Sequence, residues 1–291
     1  MSFRILRILA PCVALVGMAH AQINASLQVS KSQYLAGEPV IAVVTITNHA
    51  GRDLNFVGDP RLPWLDFIVK NGNGNLVVSP NRASFGAMKI GAGQTMARQV
   101  DLSQFFYLAE PGNFSVSAVV RLPGGQGEGA STNRAAFTLN TGRRLIAPIK
   151  VGVPGKPGET REYRLINFGG NGKSQIYAQV VNGRTGVPIS TFPLGDALLL
   201  RKPLVTVDRN QRMHVMFLGT PTMWVHCQID TDGKLVSRDI HQRGAQGDPQ
   251  LLTASDGTVT VSNSIPYDAA AVAAARAKIH NASERPAFIY E

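Results

Sequence analysis

Apolar and polar positions alternate along the first half of the chain. Short runs of this kind occupy residues 27–30, 40–47, 65–69, 76–78, 96–102, 114–122 and 135–139. In one of them Phe114, Val116, Ala118 and Val120 fall on the same side, with Ser115, Ser117 and Val119 on the other. A period of two is that of a strand with one face in a core. Gly, Pro and Asn clusters such as Asn71-Gly72-Asn73-Gly74 separate the runs. Seven strands in about 115 residues, with turns between them, predict a two-sheet sandwich. Trp64 stands at the head of one strand and is expected in that core.

The second half continues in strands, expected at 161–168, 175–181, 204–207, 212–218, 223–230, 234–241 and 258–262. Asn171-Gly172, Asp232-Gly233 and Asp256-Gly257 are hairpin signals, because type I′ turns need positive φ at both central positions. A loop at Gly219-Thr220-Pro221 would set Met213, Val215 and Phe217 across from Cys227, Val225 and Met223. All six are apolar, so that face is the expected core and Cys227 a buried packing residue. The opposite face then carries Arg212, His214, Met216, Trp224, His226 and Gln228. A tight turn at Asp232-Gly233 adds Asp239 opposite His226 and His241 opposite Trp224, with Arg238 on the core side opposite Cys227.

This face holds the candidate chemistry. His214, His226 and Asp239 form a row over three neighbouring strands, and two His with one carboxylate are a legitimate set for a transition metal, the one cofactor the sequence suggests. Trp224, His226, His241 and Arg212 are the candidate ligand-binding residues, with Trp224 as a stacking platform. The competing expectation is a mixed polar and aromatic face partly covered by the first domain.

Charge and the chain ends add a compartment. The chain has 291 residues, a net charge of +10 and two cysteines. Residues 1–21 place Arg4 and Arg7 before an apolar stretch over 8–19, then Ala19-His20-Ala21. That is the layout of a secretory signal, cleaved after Ala21. The stretch is too short to span a bilayer, which takes about 20 residues, and no transmembrane span is expected elsewhere. Removal of 1–21 takes Arg4, Arg7 and Cys12 away and leaves +8 and Cys227 alone, so no internal disulfide forms. The expected location is secreted or periplasmic, in a bacterial envelope. Half of the remaining charge lies in 141–164, which holds Arg143, Arg144, Lys150, Lys156, Arg161 and Arg164 against Glu159 and Glu162. Pro148, Pro154 and Pro157 there predict an extended basic connector. Tyr163 is the one aromatic in this stretch, so stacking platforms are not interleaved with the charges, which argues against specific nucleic-acid binding. Asp268 before an Ala-rich stretch predicts a short helix over 268–280.

Two resemblances follow from particular phrases. Tyr34-Leu35-Ala36-Gly37-Glu38-Pro39-Val40, Thr45-Ile46-Thr47-Asn48 and Leu108-Ala109-Glu110-Pro111-Gly112-Asn113-Phe114-Ser115-Val116 resemble the strand entries of bacterial immunoglobulin-like domains, as in BsuPI-like proteinase inhibitors and macroglobulin-like modules. In the second half, 207–217 and Gln228-Ile229-Asp230-Thr231-Asp232-Gly233-Lys234-Leu235 are similar to β-propeller blade phrases. The first implies an immunoglobulin-like sandwich and a proteinase-inhibitor-like role; the second implies blade-like hairpins, though the region is too short for a closed propeller.

The expected organisation is all-β: a signal peptide over 1–21, a sandwich over 22–140, a connector over 141–160, a blade-like β-domain over 161–266, and a helix and tail over 267–291. No nucleophile elbow, phosphate-binding loop, dinucleotide fingerprint, HExxH or CxxC is present. The leading expectation is a non-enzymatic exported binding or scaffolding module whose partner is a protein or an envelope glycan. The alternatives are a metal- or glycan-linked enzyme using His214, His226 and Asp239, and the inhibitor-like role.

Overall fold

A computed structural model describes residues 22–58, 62–80, 84–123, 129–170, 172–268 and 270. The expected signal segment 1–21 and most of the expected C-terminal helix lie outside them; Asp268 does accept a hydrogen bond from the Ala270 N–H at 2.9 Å.

The described chain is almost entirely β. The first half contains β1 (Ile23–Val29), β2 (Gln33–Leu35), β3 (Ile41–Asn48), β4 (Leu54–Phe56), β5 (Leu65–Asn71), β6 (Met88–Ile90), β7 (Thr95–Asp101), β8 (Gly112–Arg121), β9 (Gly129–Ser131) and β10 (Ala135–Asn140). One sheet runs β1-β3-β7; the other runs β2-β10-β8-β5, with β9 on β8. All these pairs are antiparallel except β10 with β2, which is parallel. In β3 every second residue is buried, and Ala42, Val44 and Ile46 meet Phe67, Val69, Val116 and Ala118 in one core. Trp64 is in that core as expected. Its ring lies 5.0 Å from Phe56, and its Nε1 donates to the Phe85 and Gly86 carbonyls.

The second half contains β11 (Arg143–Arg144), β12 (Ile149–Val153), β13 (Lys156–Gly170), β14 (Lys173–Asn182), β15 (Pro188–Asp196), β16 (Leu204–Val207), β17 (Met213–Thr220), β18 (Met223–Ile229), β19 (Leu235–Arg243), β20 (Gln250–Thr253), β21 (Val259–Ser262) and β22 (Ser264–Pro266). One sheet runs β11-β13-β14-β15 with β12 also on β13; the second runs β16-β17-β18-β19-β22. Tyr163, Leu165, Ile176, Ala178 and Val180 of the first pack on Met213, Val215, Phe217, Val225, Cys227 and Ile229 of the second. This is a second sandwich, with β20 and β21 forming a separate hairpin.

The expected connector over 141–160 is strand instead. β12 pairs with β13, turning through Pro154-Gly155, where Gly155 has φ +73°. Leu145, Ile146, Ile149 and Val151 join the second core. Charge and proline dominate the composition here, yet the apolar residues between them supply one face of a hairpin. Arg143, Arg144, Lys150 and Lys156 point outward, whereas Arg161 and Arg164 are tied to Glu159 and Glu162. The basic segment is thus not a bare cationic arm.

The two sandwiches touch directly. Leu35 packs with Ile166, Phe168 and Tyr177, and Gln179 Nε2 donates to the Ala36 carbonyl at 3.1 Å. Two glycines permit this approach. A Cβ on Gly37 (φ +86°) would lie 3.0 Å from both Pro188 Cβ and Thr191 Oγ1. One on Gly142 (φ +64°) would lie 2.5 Å from Ile166 Cγ2 and 2.9 Å from Leu35 Cδ1.

Candidate functional site

The strands of the β16–β22 sheet position the histidines. The β18–β19 register is the expected one, with His226 opposite Asp239, Trp224 opposite His241 and Cys227 opposite Arg238. The β17–β18 register differs by two residues. His214 faces Gln228, and Met216 faces His226. The reason is the turn: β17 runs on to Thr220, which pairs with Met223, and the extra residue is absorbed as a bulge at Gly219. A shift of two keeps each side chain on its expected face, so the core residues stay in the core.

The histidines still meet, diagonally rather than directly across. His214 Nδ1 and His226 Nε2 are 3.1 Å apart, one donating to the other, with ring centroids at 5.3 Å. His241 follows at 6.0 Å from His226. All three are buried, at 3%, 5% and 8% exposure. His214 Nε2 stands 3.5 Å from Asp208 Oδ2, beyond good hydrogen-bond range. Neither nitrogen of His241 has a partner among the described residues.

Burial depresses all three imidazoles. It takes His226 down to about 4, with the His214 and His241 rings adding to the effect and Asp239 opposing it. Burial lowers His214 against the pull of Asp208, and lowers His241 against Asp239.

The expected metal row is not assembled. Asp239 is exposed while the histidines are enclosed, and the third ring of the cluster is His241. Among the described residues no group of three His, Cys, Asp or Glu side chains is placed to hold a metal ion. The expected ligand face is internal too. Trp224 is 5% exposed and packs with Met216 and Leu218 beneath Leu198, Leu204, Leu251 and Val261. The cover is the β20–β21 hairpin, which supplies Leu251 and Val261, not the first sandwich. Arg212 is half-buried, and its N–H donates to Asp208 Oδ1 at 2.8 Å, so its backbone shapes the β16–β17 turn. Arg238, on the core side, sits at the margin. Its guanidinium approaches Gly195, where a Cβ would lie 2.8 Å away, and the residue remains exposed.

The open cavities lie elsewhere, two at the junction of the sandwiches and one on the first sandwich alone. One of about 390 Å³ runs between residues 101–109 and β15 and includes Gln104, Tyr107, Ser190 and Thr191. A second, of about 240 Å³, is bordered by Tyr107, Arg144, Arg164 and Gln179. A third, of about 540 Å³, holds Asn71, Asn73, Glu110 and Asn113, and again Tyr107. Tyr107 is 56% exposed and borders all three. Sequence reading missed it, because one aromatic in a loop carries no periodic signal; the residues around it run from Ala36 to Phe192 along the chain.

The sequence matches no protein-family model and no curated protein. Solved structures give distant matches. A family 123 glycoside hydrolase from Clostridium perfringens is 11% identical at a TM-score of 0.27, over 41% of this chain and 27% of that one. The alkylpurine DNA glycosylase AlkC of Pseudomonas fluorescens is 21% identical at 0.26, over 42% and 31%. The sporulation control protein Spo0M of Bacillus subtilis is 13% identical at 0.27, over 58% and 83%. This chain thus spans about a third or less of the first two, and similarity at this level carries no argument about function.

Proposed function

We propose that the protein is an exported, non-enzymatic binding module of the bacterial envelope, and that its ligand is a glycan seated at the junction of the two sandwiches. One observation carries the reading: the exposed ring of Tyr107 borders three depressions, two of them at the junction, whose mixed linings include the amides and hydroxyls of Gln104, Ser190, Thr191 and Gln179 beside Arg144 and Arg164. An aromatic face beside a few convergent polar groups suits a sugar, whose C–H face stacks while its hydroxyls are hydrogen-bonded. The Arg4/Arg7 n-region and the apolar stretch after it support export. The immunoglobulin-like phrases around Gly37 and Pro111 support a binding scaffold, a fold type that hosts many unrelated tasks.

The test is calorimetric titration with soluble peptidoglycan fragments and with the polysaccharide part of lipopolysaccharide. Binding to one of them, weakened about tenfold or more in Tyr107→Ala, is the expected result; a stacked ring worth about 1.4 kcal/mol corresponds to that factor. No binding to either probe, or equal binding by the variant, removes the reading.

A further inference from the structure

The outer face of the β16–β22 sheet combines three features that the proposed glycan site does not use. It holds a buried cluster of three imidazoles, an apolar strip beside it, and a small separate hairpin that covers the strip and reaches Thr206, the cross-strand neighbour of His214. The hairpin is anchored at its base, where Asn263 Nδ2 donates to the Asp248 carbonyl at 3.1 Å and its Oδ1 accepts from the Gln246 N–H at 3.0 Å, and beyond that touches the sheet at a few points. Leu251 and Val261 pack on Met216, Leu218 and Trp224; Thr253 Oγ1 meets Thr206 Oγ1 at 3.2 Å; the Arg209 N–H donates to the Gly257 carbonyl at 2.9 Å. Most of its residues are half-exposed or exposed.

We propose that the β20–β21 hairpin is an acid-released cover, lifted when the His214–His226–His241 cluster takes up protons, so that the Met216–Leu218–Trp224 strip becomes accessible.

The charge balance favours release. From the β16–β17 turn, Asp208 faces His214, with Arg212 adding unfavourable positive charge. From β19, Asp239 acts on His226 and His241 but is exposed, so water screens it. Strands β20 and β21, with sequences Gln-Leu-Leu-Thr and Val-Thr-Val-Ser, bring no charged side chain. Charges flanking the hairpin are already engaged: Asp248 with Arg243 and Arg201, and Asp256 with Arg209. Three imidazolium ions would therefore repel one another within 6 Å of their neighbours, opposed by one enclosed and one exposed carboxylate. Water reaches them once the hairpin lifts. Both nitrogens of His241 are likewise enclosed without a partner among the described residues, which leaves the closed cluster with an uncompensated polar group.

The sign follows from the direction of the shifts. A histidine depressed in the closed form binds protons more tightly when open, so the cover is held above the ordinary histidine value of about 6.5 and lost as pH falls toward about 4. Hydrogen–deuterium exchange of the full chain between pH 7 and pH 4.5, corrected for intrinsic rates, reads the opening. Expected is faster exchange over 250–262, rising up to about tenfold per pH unit for each proton taken up, with 22–140 unchanged. Asp239→Asn, at an exposed position, should move the opening to higher pH, because its carboxylate stabilises the protonated rings in the closed form and so opposes release. His226→Leu should flatten the response. Acid unfolding of the whole chain with no earlier hairpin release, or the same profile in Asp239→Asn and His226→Leu, overturns the proposal.

Discussion

Cys227 shows how far a single position can be read. The apolar set on its strand placed it in a core, and it is fully buried there as a free thiol. Burial pushes that thiol up to about 12, so it is un-ionised at any ordinary pH. Native protein should therefore fail to react with a thiol-specific chromogenic disulfide at pH 8, and react with one equivalent after denaturation; fast reaction in the native state would contradict the packing. Trp64 was legible for the same reason, a large apolar residue at the head of an alternating run. The histidines were legible only in part. Parity put His214, His226 and His241 on one face, but parity is blind to shifts of two. The bulge at Gly219, which turns a direct His214–His226 pair into a diagonal one, leaves no mark in the alternation. Nor does a sequence show that Asp239 ends outside the enclosed area while His241 ends inside it.

At the scale of elements, β3, β5, β7, β8, β10, β14, β16, β17, β18, β19 and β21 were found to within a residue or two of the bounds read from the sequence. β15 was not, because Pro188 and Pro193 interrupt its pattern. Proline is tolerated there since β15 is an edge strand whose outer N–H groups pair with nothing in the sheet. β12 was hidden by its charges. The fold makes a direct prediction for it. A linker of proline, glycine and lysine should be cut quickly by trypsin at Lys150, whereas Lys150 lies in a paired strand (Lys156 precedes Pro157 and resists trypsin in either case). Limited proteolysis should leave the Lys150–Val151 bond intact while the chain is folded, and early cleavage there would restore the connector. The six consecutive buried residues of β14, 176–181, have an equally specific cause. Ile176, Ala178 and Val180 face the second core, while Tyr177 packs with Leu35 and Gln179 bonds to Ala36, across the junction. A run buried on both faces marks a strand between two layers.

For the whole molecule, the junction is the feature with the largest consequences. Alternation identified two β-regions but could not show that they share a packed boundary, since Leu35, Gly142, Ile166 and Tyr177 come from three separate stretches. Gly142→Ala tests that boundary. The added methyl meets Ile166 Cγ2 at 2.5 Å and the backbone φ is +64°, so a loss of more than about 1 kcal/mol is expected. It should appear as a lowered thermal midpoint, and an unchanged midpoint would mean that the sandwiches do not pack this way. The same boundary frames the proposed ligand site, so Gly142→Ala should also weaken glycan binding without touching Tyr107.

The parallel pairing of β10 with β2 sets a timetable. Thr138, Leu139 and Asn140 lie beside Gln33, Tyr34 and Leu35, more than a hundred residues earlier. A chain that leaves a ribosome or a translocation pore N-terminus first must expose about 105 residues before that sheet can close. The edge of β2 stays bare for the whole interval, and Leu35, which later seals the boundary with the second sandwich, waits with it. Maturation is thus gated by the arrival of residue 140. A holdase that masks open strand edges would act within that interval.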